Sequence, residues 1–307
     1  MSIIVFWSPL HGQGQTSNLH DMAFVMSILH KKRVLMMQTQ YDKNNLESPL
    51  VGQNVGRSHL TSELFQDIGL GAAVTFSNMN KLSLKLLESC CLTFQNSSLL
   101  LLPGSDTKNR ETFDRDIGKG VIRMIKDANE LVDVVLIDAN SGDDELSFRI
   151  MSAADLIVIN LTQRRHVLEK FFFDYGEFFT DNKKAFYLFG DYVSNSAYNI
   201  SNFRVKYRRY INKSNTGVVP FCTKYMDAQN ESNILKFMQE GFRIRGISNM
   251  KKVLDFIRRI LLSSSRYTPE ETQYFFHNSK KSAEKMLYML QVSIQNDRRE
   301  GRQREHE

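Results

Sequence analysis

Proline is scarce, at 5 of 307 residues, and cysteine scarcer still, at 3. So few prolines exclude a chain built of polyproline spacers and favour packed structure. Two of the cysteines, Cys90 and Cys91, are adjacent, and no Cys/His group has zinc spacing. That pattern excludes a disulfide framework and a zinc module, and it suits a reducing, cytoplasmic setting. No apolar run approaches the roughly 18 residues of a membrane span, so no transmembrane segment is expected. The first apolar run, Ile3 to Trp7, is short and follows no basic region, which argues against a signal peptide. Internal repeats and low-complexity linkers are missing as well. No Ser/His/Asp or Cys/His constellation of a nucleophilic enzyme can be read.

What remains is the composition of a well-packed chain: 42% hydrophobic residues, with 21 phenylalanines. The length suits one large α/β domain with an appendage. A net charge of +6 permits contact with nucleic acid or an anionic membrane surface without requiring either.

The most informative stretch lies at the N-terminus. Ile3 to Trp7 reads as a buried strand. A turn containing Gly12 and Gly14 follows, and after Thr16 apolar residues recur at Leu19, Met22, Ala23, Met26 and Leu29 with helical spacing. A strand, a glycine turn and a helix N-terminus together make a phosphate cradle, because free backbone N–H groups and the positive helix end converge on one anion. The plainer alternative is an ordinary strand-to-helix turn. The usual P-loop reads Gly-Lys-Ser/Thr where this chain reads Gly14-Gln15-Thr16. Gln15 can donate a hydrogen bond but carries no charge.

The loop resembles the deviant Walker A motif of the MinD/ParA family of P-loop NTPases, Lys-Gly-Gly-x-Gly-Lys-Thr-Thr. That motif falls on Leu10, His11, Gly12, Gln13, Gly14, Gln15, Thr16 and Ser17. The family's two lysines are replaced by Leu10 and Gln15, while Thr16 retains the usual magnesium ligand. His11, if protonated, offers a partial substitute for a lysine. In the family the next strand ends in Asp-x-Asp. Here Gln38 and Gln40 occupy those positions, so no catalytic residue is assigned; Asp42 lies two residues on. Val132 to Gly142 resembles the family's strand ending in Asp-x-x-x-Gly, with Asp138 a second ligand for magnesium through water. Asp155 to Leu161, Ala185 to Phe189 and Gly217 to Phe221 are further strand candidates. Gly190 or Asp191 stands where the family has an adenine-reading asparagine, and the resemblance places Pro220 and Phe221 against the base.

Helices are predicted near Ser58–Ile68, Asn80–Cys91 and Ile117–Glu130. The last carries Ile117, Val121, Met124, Ile125 and Ala128 on one stripe. Tyr225 to Asn233 leads into a helix through about Gln239. Two further strand candidates, Leu92–Gln95 and Ser98–Leu102, end at Pro103-Gly104. The alternation implies a three-layer α/β/α domain with a mostly parallel twisted sheet over residues 1–262. Met250 to Leu262 reads as a closing core helix or a membrane-surface helix. Residues 263–307 form an added helix with a polar tail that frays from Asp297. Its stripe of Ala283, Met286, Leu287, Leu290 and Ile294 must cover the same domain, a partner helix or a membrane, and a docking or dimer helix is preferred. Arg204 to Lys213 is basic with interleaved tyrosines. It suits phosphate contact with base stacking, or equally a solvated segment with tyrosines packed underneath.

The resemblance implies an ATP- or ADP-binding protein, with Mg²⁺, acting as a positional, assembly or regulatory factor. Loss of the lysines and carboxylates implies weak or absent hydrolysis, as in the family's degenerate TadZ-type localisation factors. It also implies a homodimer and a protein partner in a membrane-associated, secretion or partition assembly, peripheral at the membrane or nucleoid. An active ParA-type partition ATPase that binds DNA non-specifically is one alternative. A nucleotide-free scaffold is another.

Overall fold

The computed structural model describes residues 1–40, 46–51, 68–94, 97–105, 109–180, 184–246 and 269–304. Eight strands form one sheet. In chain order they are β1 (Ser2–Trp7), β2 (Val34–Gln38), β3 (Leu92–Thr93), β4 (Leu99–Leu102), β5 (Val134–Asp138), β6 (Leu156–Leu161), β7 (Ala185–Tyr192) and β8 (Thr216–Pro220). Across the sheet their order is β3-β4-β2-β5-β1-β6-β7-β8. Only the pairing of β3 with β4 is antiparallel among these strands.

The central strands are runs of Val, Ile, Leu and Met interrupted only by Gln38, Asp138 and Asn160, and they are buried along their length. Helices cover both faces of a parallel sheet, so its strands need no polar face. The pleat divides β1 between two cores. Ile3, Val5 and Trp7 point into one and Ile4 and Phe6 into the other.

Among the helices are α1 (Gln15–Phe24), α2 (Ser48–Val51), α3 (Leu70–Asn78), α4 (Leu84–Cys90), α5 (Lys119–Asn129), α6 (Glu145–Ser152), α7 (Arg165–Lys170), α8 (Ile200–Lys206), α9 (Thr223–Asn230), α10 (Ile234–Gly246) and α11 (Pro269–Arg304). The first core takes α3 to α8, and the second takes α1, α9, α10 and α11. The predicted stripe of α5 is buried in the first core, Ile117 included. The helix predicted from Asn80 begins at Leu84 instead. Asn80 has φ +57°, and the Ser83 hydroxyl caps the helix by accepting from the Leu86 N–H at 3.4 Å.

The C-terminal helix packs on its own domain. Its apolar stripe is spent on its own sheet: Ala283, Met286 and Leu290 are buried in the second core with Phe275 and Phe276. The Ser282 hydroxyl donates to Val218 O and accepts from Val218 N–H, both at 2.9 Å, so it completes the edge of β8. Lys285 Nζ donates to Thr216 O at 2.6 Å. Glu271 accepts from the N–H of Thr223 at the start of α9, at 2.5 Å. This helix closes the domain by packing along β8. It also runs on to Arg304, past Asp297 and Gly301. The Ser58–Ile68 helix up to residue 67, Asp42, the Met250–Leu262 helix and the boundary near residue 263 lie outside the described residues.

Candidate functional site

The strands β1, β2 and β5 end level with one another. Phe6 and Gln38 both stand in register with Asp138. Loops leaving these C-terminal ends therefore meet in one place, where ligands bind in open α/β sheets. Trp7 fixes that place. It is fully buried among Phe148, Phe171, Tyr175 and Phe179, with ring centroids 5.0–6.5 Å away. Its indole N–H donates to Gly142 O at 3.1 Å, and the Gly142 N–H donates to Ser8 O at 2.9 Å. The two loops, one after β1 and one after β5, are thereby held together.

The loop from Ser8 to Gly14 turns on two glycines in the left-handed region, Gly12 at φ +74° and Gly14 at φ +69°. Gly14 stands directly before α1. Among the described residues, no acceptor takes the main-chain N–H groups from Gly12 to Ser17. These donors, with the N-terminus of α1, form an open anion seat. Leu10, at the position of the first missing lysine, packs against the core instead.

Gln15 has a different role from the one its position suggests. Its Nε2 donates to Asp138 Oδ1 and to Ala139 O, both at 2.6 Å. Its Oε1 accepts from Ser8 Oγ at 2.8 Å and from Ser141 Oγ at 3.4 Å. All the hydrogen-bonding capacity of the amide is used inside the protein. The Ala139 carbonyl only accepts, which fixes the orientation of the amide. Gln15 is thus a strut between the loop and β5, and only its main-chain N–H is left open to the seat. Thr16 Oγ1 donates to Asp138 Oδ2 at 2.7 Å, so the two expected metal ligands are brought together but bonded to each other. Asp138 is fully buried, and desolvation pushes its carboxyl up to about 6, against the opposing hydrogen bonds from Thr16 and Gln15.

A cavity of about 640 Å³ opens over the seat. Gly12, Gly14 and Thr16 form its floor, Gln40, Ser48 and Pro49 one wall, and Gln229, Asn230 and Ser232 another. Among the described residues no lysine or arginine lines it, and the titratable side chains of that lining are His11 and His20. His20 is fully buried, its Nε2 within 2.8 Å of Leu46 O, and desolvation lowers it to about 4, so it is neutral at physiological pH. Gln13 is also consumed internally, donating to His11 O and accepting from Thr162 Oγ1 at 2.7 Å.

Several expected site residues stand elsewhere. Pro220 is buried in β8 and Phe221 is exposed, and neither lines this cavity. The turn between α9 and α10 supplies that wall. Gln38 turns away from the seat, its amide 3.4 Å from Glu47 Oε2. Glu47 is buried and accepts from the Gly104 N–H at 2.6 Å. Ser8, Ser141 and Glu47 carry no local motif, and only the tertiary structure reveals them. In the basic segment, Tyr207 stacks on Phe172 with centroids 3.8 Å apart, and Tyr210 lies 5.0 Å from the same ring. Lys206 and Arg209 sit over those tyrosines. The tyrosines are packed underneath and are not free to stack on bases.

No family model matches the sequence, and no curated protein is significantly similar to it. Solved structures do match. The cell division ATPase MinD of Pyrococcus furiosus superposes with a TM-score of 0.61 at 13% identity, over 94% of this chain and 99% of that one. The ParA family ATPase of Chlorobium tepidum gives 0.60 at 16% identity, over 76% and 91%. The septum site-determining protein MinD of Pyrococcus horikoshii, complexed with Mg-ADP, gives 0.54 at 15% identity, over 80% and 98%. The fold is therefore MinD/ParA-like. Among the described residues no helix is long and apolar enough to cross a membrane.

Proposed function

We propose that this chain, which has the fold of the MinD and ParA ATPases, is a nucleotide-binding assembly or positional factor with little or no hydrolysis. One observation carries the reading: the N–H groups from Gly12 to Ser17 stay open to an anion, while the side chain at the lysine position is fully consumed by Asp138, Ala139, Ser8 and Ser141. Backbone donors and a helix end suffice to hold a phosphoryl group. Turnover needs more. Phosphoryl transfer depends on cations that neutralise the developing charge and on a group that orients the attacking water. Among the described residues the cavity is lined by no lysine or arginine, and the switch positions hold the amides of Gln38 and Gln40.

Such a protein works by being present or absent at a site. Nucleotide would favour a homodimer whose surface recruits a protein of a membrane-associated, secretion or partition assembly. Titration calorimetry with ADP and ATP, followed by turnover of radiolabelled ATP, tests the reading. Binding at roughly 10 µM to 1 mM without turnover is expected. Turnover at rates typical of lysine-bearing relatives contradicts it.

The lack of lysine and arginine among the described lining residues also favours a second reading, a scaffold that has kept the fold and lost nucleotide. Absence of any heat at millimolar ADP and ATP selects it. The DNA-binding alternative receives less support, because Tyr207 and Tyr210 are committed to Phe172.

A further inference from the structure

Phe173 and Val205 are the two most exposed large hydrophobic side chains among the described residues, at 90% and 77%. Apolar residues scattered singly over a surface are ordinary, but these two border one patch. Phe173 lies on the helical turn Phe171–Tyr175 that follows α7, and it shares an open groove with Lys206 and Tyr207. Val205 immediately precedes Lys206 at the end of α8. The floor between them is aromatic. Phe172 stacks on Tyr207, Tyr210 lies against the same ring, and Lys206 and Arg209 stand 5.2 and 5.8 Å from the two tyrosine centroids.

The charge around the patch is one-sided. Residues 164–177 carry three cations and three carboxylates. Glu169 is held by Arg165 at 2.7 Å and Asp174 by Lys170 at 2.6 Å, which leaves Arg164 and Glu177 to offset each other. Residues 204–213 carry five cations and no carboxylate. Of these, Lys206, Arg208, Arg209 and Lys213 are exposed, and among the described residues none of the four enters an ion pair.

A matching surface must be anionic and must accept apolar tips. A nucleic acid meets the first requirement but not the second. Tyr207 and Tyr210 are committed to Phe172, and an aliphatic tip such as Val205 does not stack on bases. A lipid surface meets both, because it offers hydrocarbon just beneath its headgroups. The apolar stripe of α11 is not available for such a contact, since Ala283, Met286 and Leu290 are buried in the second core. We propose that the patch around Phe173 and Val205 docks on an anionic lipid surface, the two apolar tips entering the acyl boundary while Lys206 and Arg209 face the headgroups. Apolar insertion and polybasic attraction are each marginal alone and together hold a protein at a membrane. The patch shares no residue with the cavity over the anion seat, so the proposal stands apart from the nucleotide reading.

The test sediments the full chain with large vesicles of phosphatidylcholine, alone or with about one-third phosphatidylglycerol, at about 50 mM and about 0.5 M salt. Binding to the anionic vesicles is expected at low salt, with loss at high salt and none on neutral vesicles. Phe173→Ser is expected to weaken it about tenfold. Lys206→Gln combined with Arg209→Gln is expected to weaken it about tenfold or more. Tyr288→Ser removes an exposed aromatic from α11 instead and is expected to change nothing. Urea midpoints near the parent's establish that the variants fold. Should one unfold, Phe173→Trp decides: its emission is expected to move to shorter wavelength on anionic vesicles, and an unmoved emission overturns the proposal. No sedimentation with anionic vesicles overturns it, as does equal binding to neutral ones. Binding that Phe173→Ser and the double variant leave intact, or that Tyr288→Ser weakens equally, places the contact elsewhere and overturns it too. Retardation of duplex DNA that the double variant loses, without vesicle binding, assigns the patch to nucleic acid and overturns the proposal.

Discussion

Replacing Gln15 by alanine separates a strut from a ligand-binding side chain. The variant deletes two donor bonds, to Asp138 Oδ1 and to Ala139 O. It leaves Ser8 and Ser141 satisfied, because their hydroxyls lie 3.0 Å apart and Ser8 also donates to Leu10 O. Thr16 keeps its bond to Asp138 Oδ2. The cost therefore falls on two buried acceptors. At about 1–3 kcal/mol for each unsatisfied buried group, the gross loss is about 4 kcal/mol. The adjoining cavity admits water to the vacated space, which recovers part of it and leaves about 2.5 kcal/mol. With a slope of about 3 kcal/mol per molar urea, the midpoint falls by about 0.8 M. Trp7, the only tryptophan, is buried beside the site and reports the transition by fluorescence. A midpoint within about 0.1 M of the parent refutes the strut argument. Gln15→Glu sharpens the test. It keeps the shape but puts a carboxylate against Asp138, so it loses more than the alanine variant at about pH 8 and recovers as one of the pair is protonated on acidification.

Three more outcomes follow from the same geometry. Gly217→Ala places a Cβ 2.6 Å from Ser282 Oγ and 2.9 Å from Phe186, so it is expected to cost more than about 2 kcal/mol by urea denaturation; an unchanged midpoint means α11 does not close on β8 as described. Gly14→Ala forces a side chain into φ +69°, so it is expected to weaken ADP binding by about tenfold with a stability loss of only about 1 kcal/mol; unaltered affinity in calorimetry removes the loop from the binding site. Asp21 is fully buried on α1, and desolvation raises its carboxyl to about 7. The folded state therefore holds a proton that the unfolded chain releases. Stability from this group is complete below the unfolded value, is lost as pH rises through about 7, and the loss is on the order of 4 kcal/mol. Asp21→Asn is expected to flatten that slope, and a pH profile identical to the parent's shows the group ionises freely.

The sheet was legible because burial on both faces of a parallel sheet leaves a plain mark. Val134 to Ile137 and Leu156 to Ile159 are continuous apolar runs with few other ways to be buried. The stripe of α5 was legible for the corresponding reason in a helix. The C-terminal stripe was equally visible, but a stripe does not say what covers it. Ser282 and Lys285 settle that by bonding to β8, and neither residue marks a strand edge in the sequence. The site was half legible. Glycine spacing gave the loop, and the strand-end carboxylate gave Asp138. The network that consumes Gln15 was not legible, because Ser8 and Ser141 are common residues 133 positions apart that meet only through the alignment of β1 with β5. The cavity wall from Gln229 to Ser232 was missed for a similar reason, since a polar helix junction reads as an ordinary turn.

The main-chain seat itself can be observed directly by titrating ADP into ¹⁵N-labelled protein and following the amide resonances of Gly12 to Ser17. The account predicts that the Gly12 and Gly14 amides shift downfield and saturate below about 5 mM ADP, as N–H groups that bond to no protein acceptor take phosphate oxygens. Amides that stay fixed at that concentration, with or without magnesium, would contradict it.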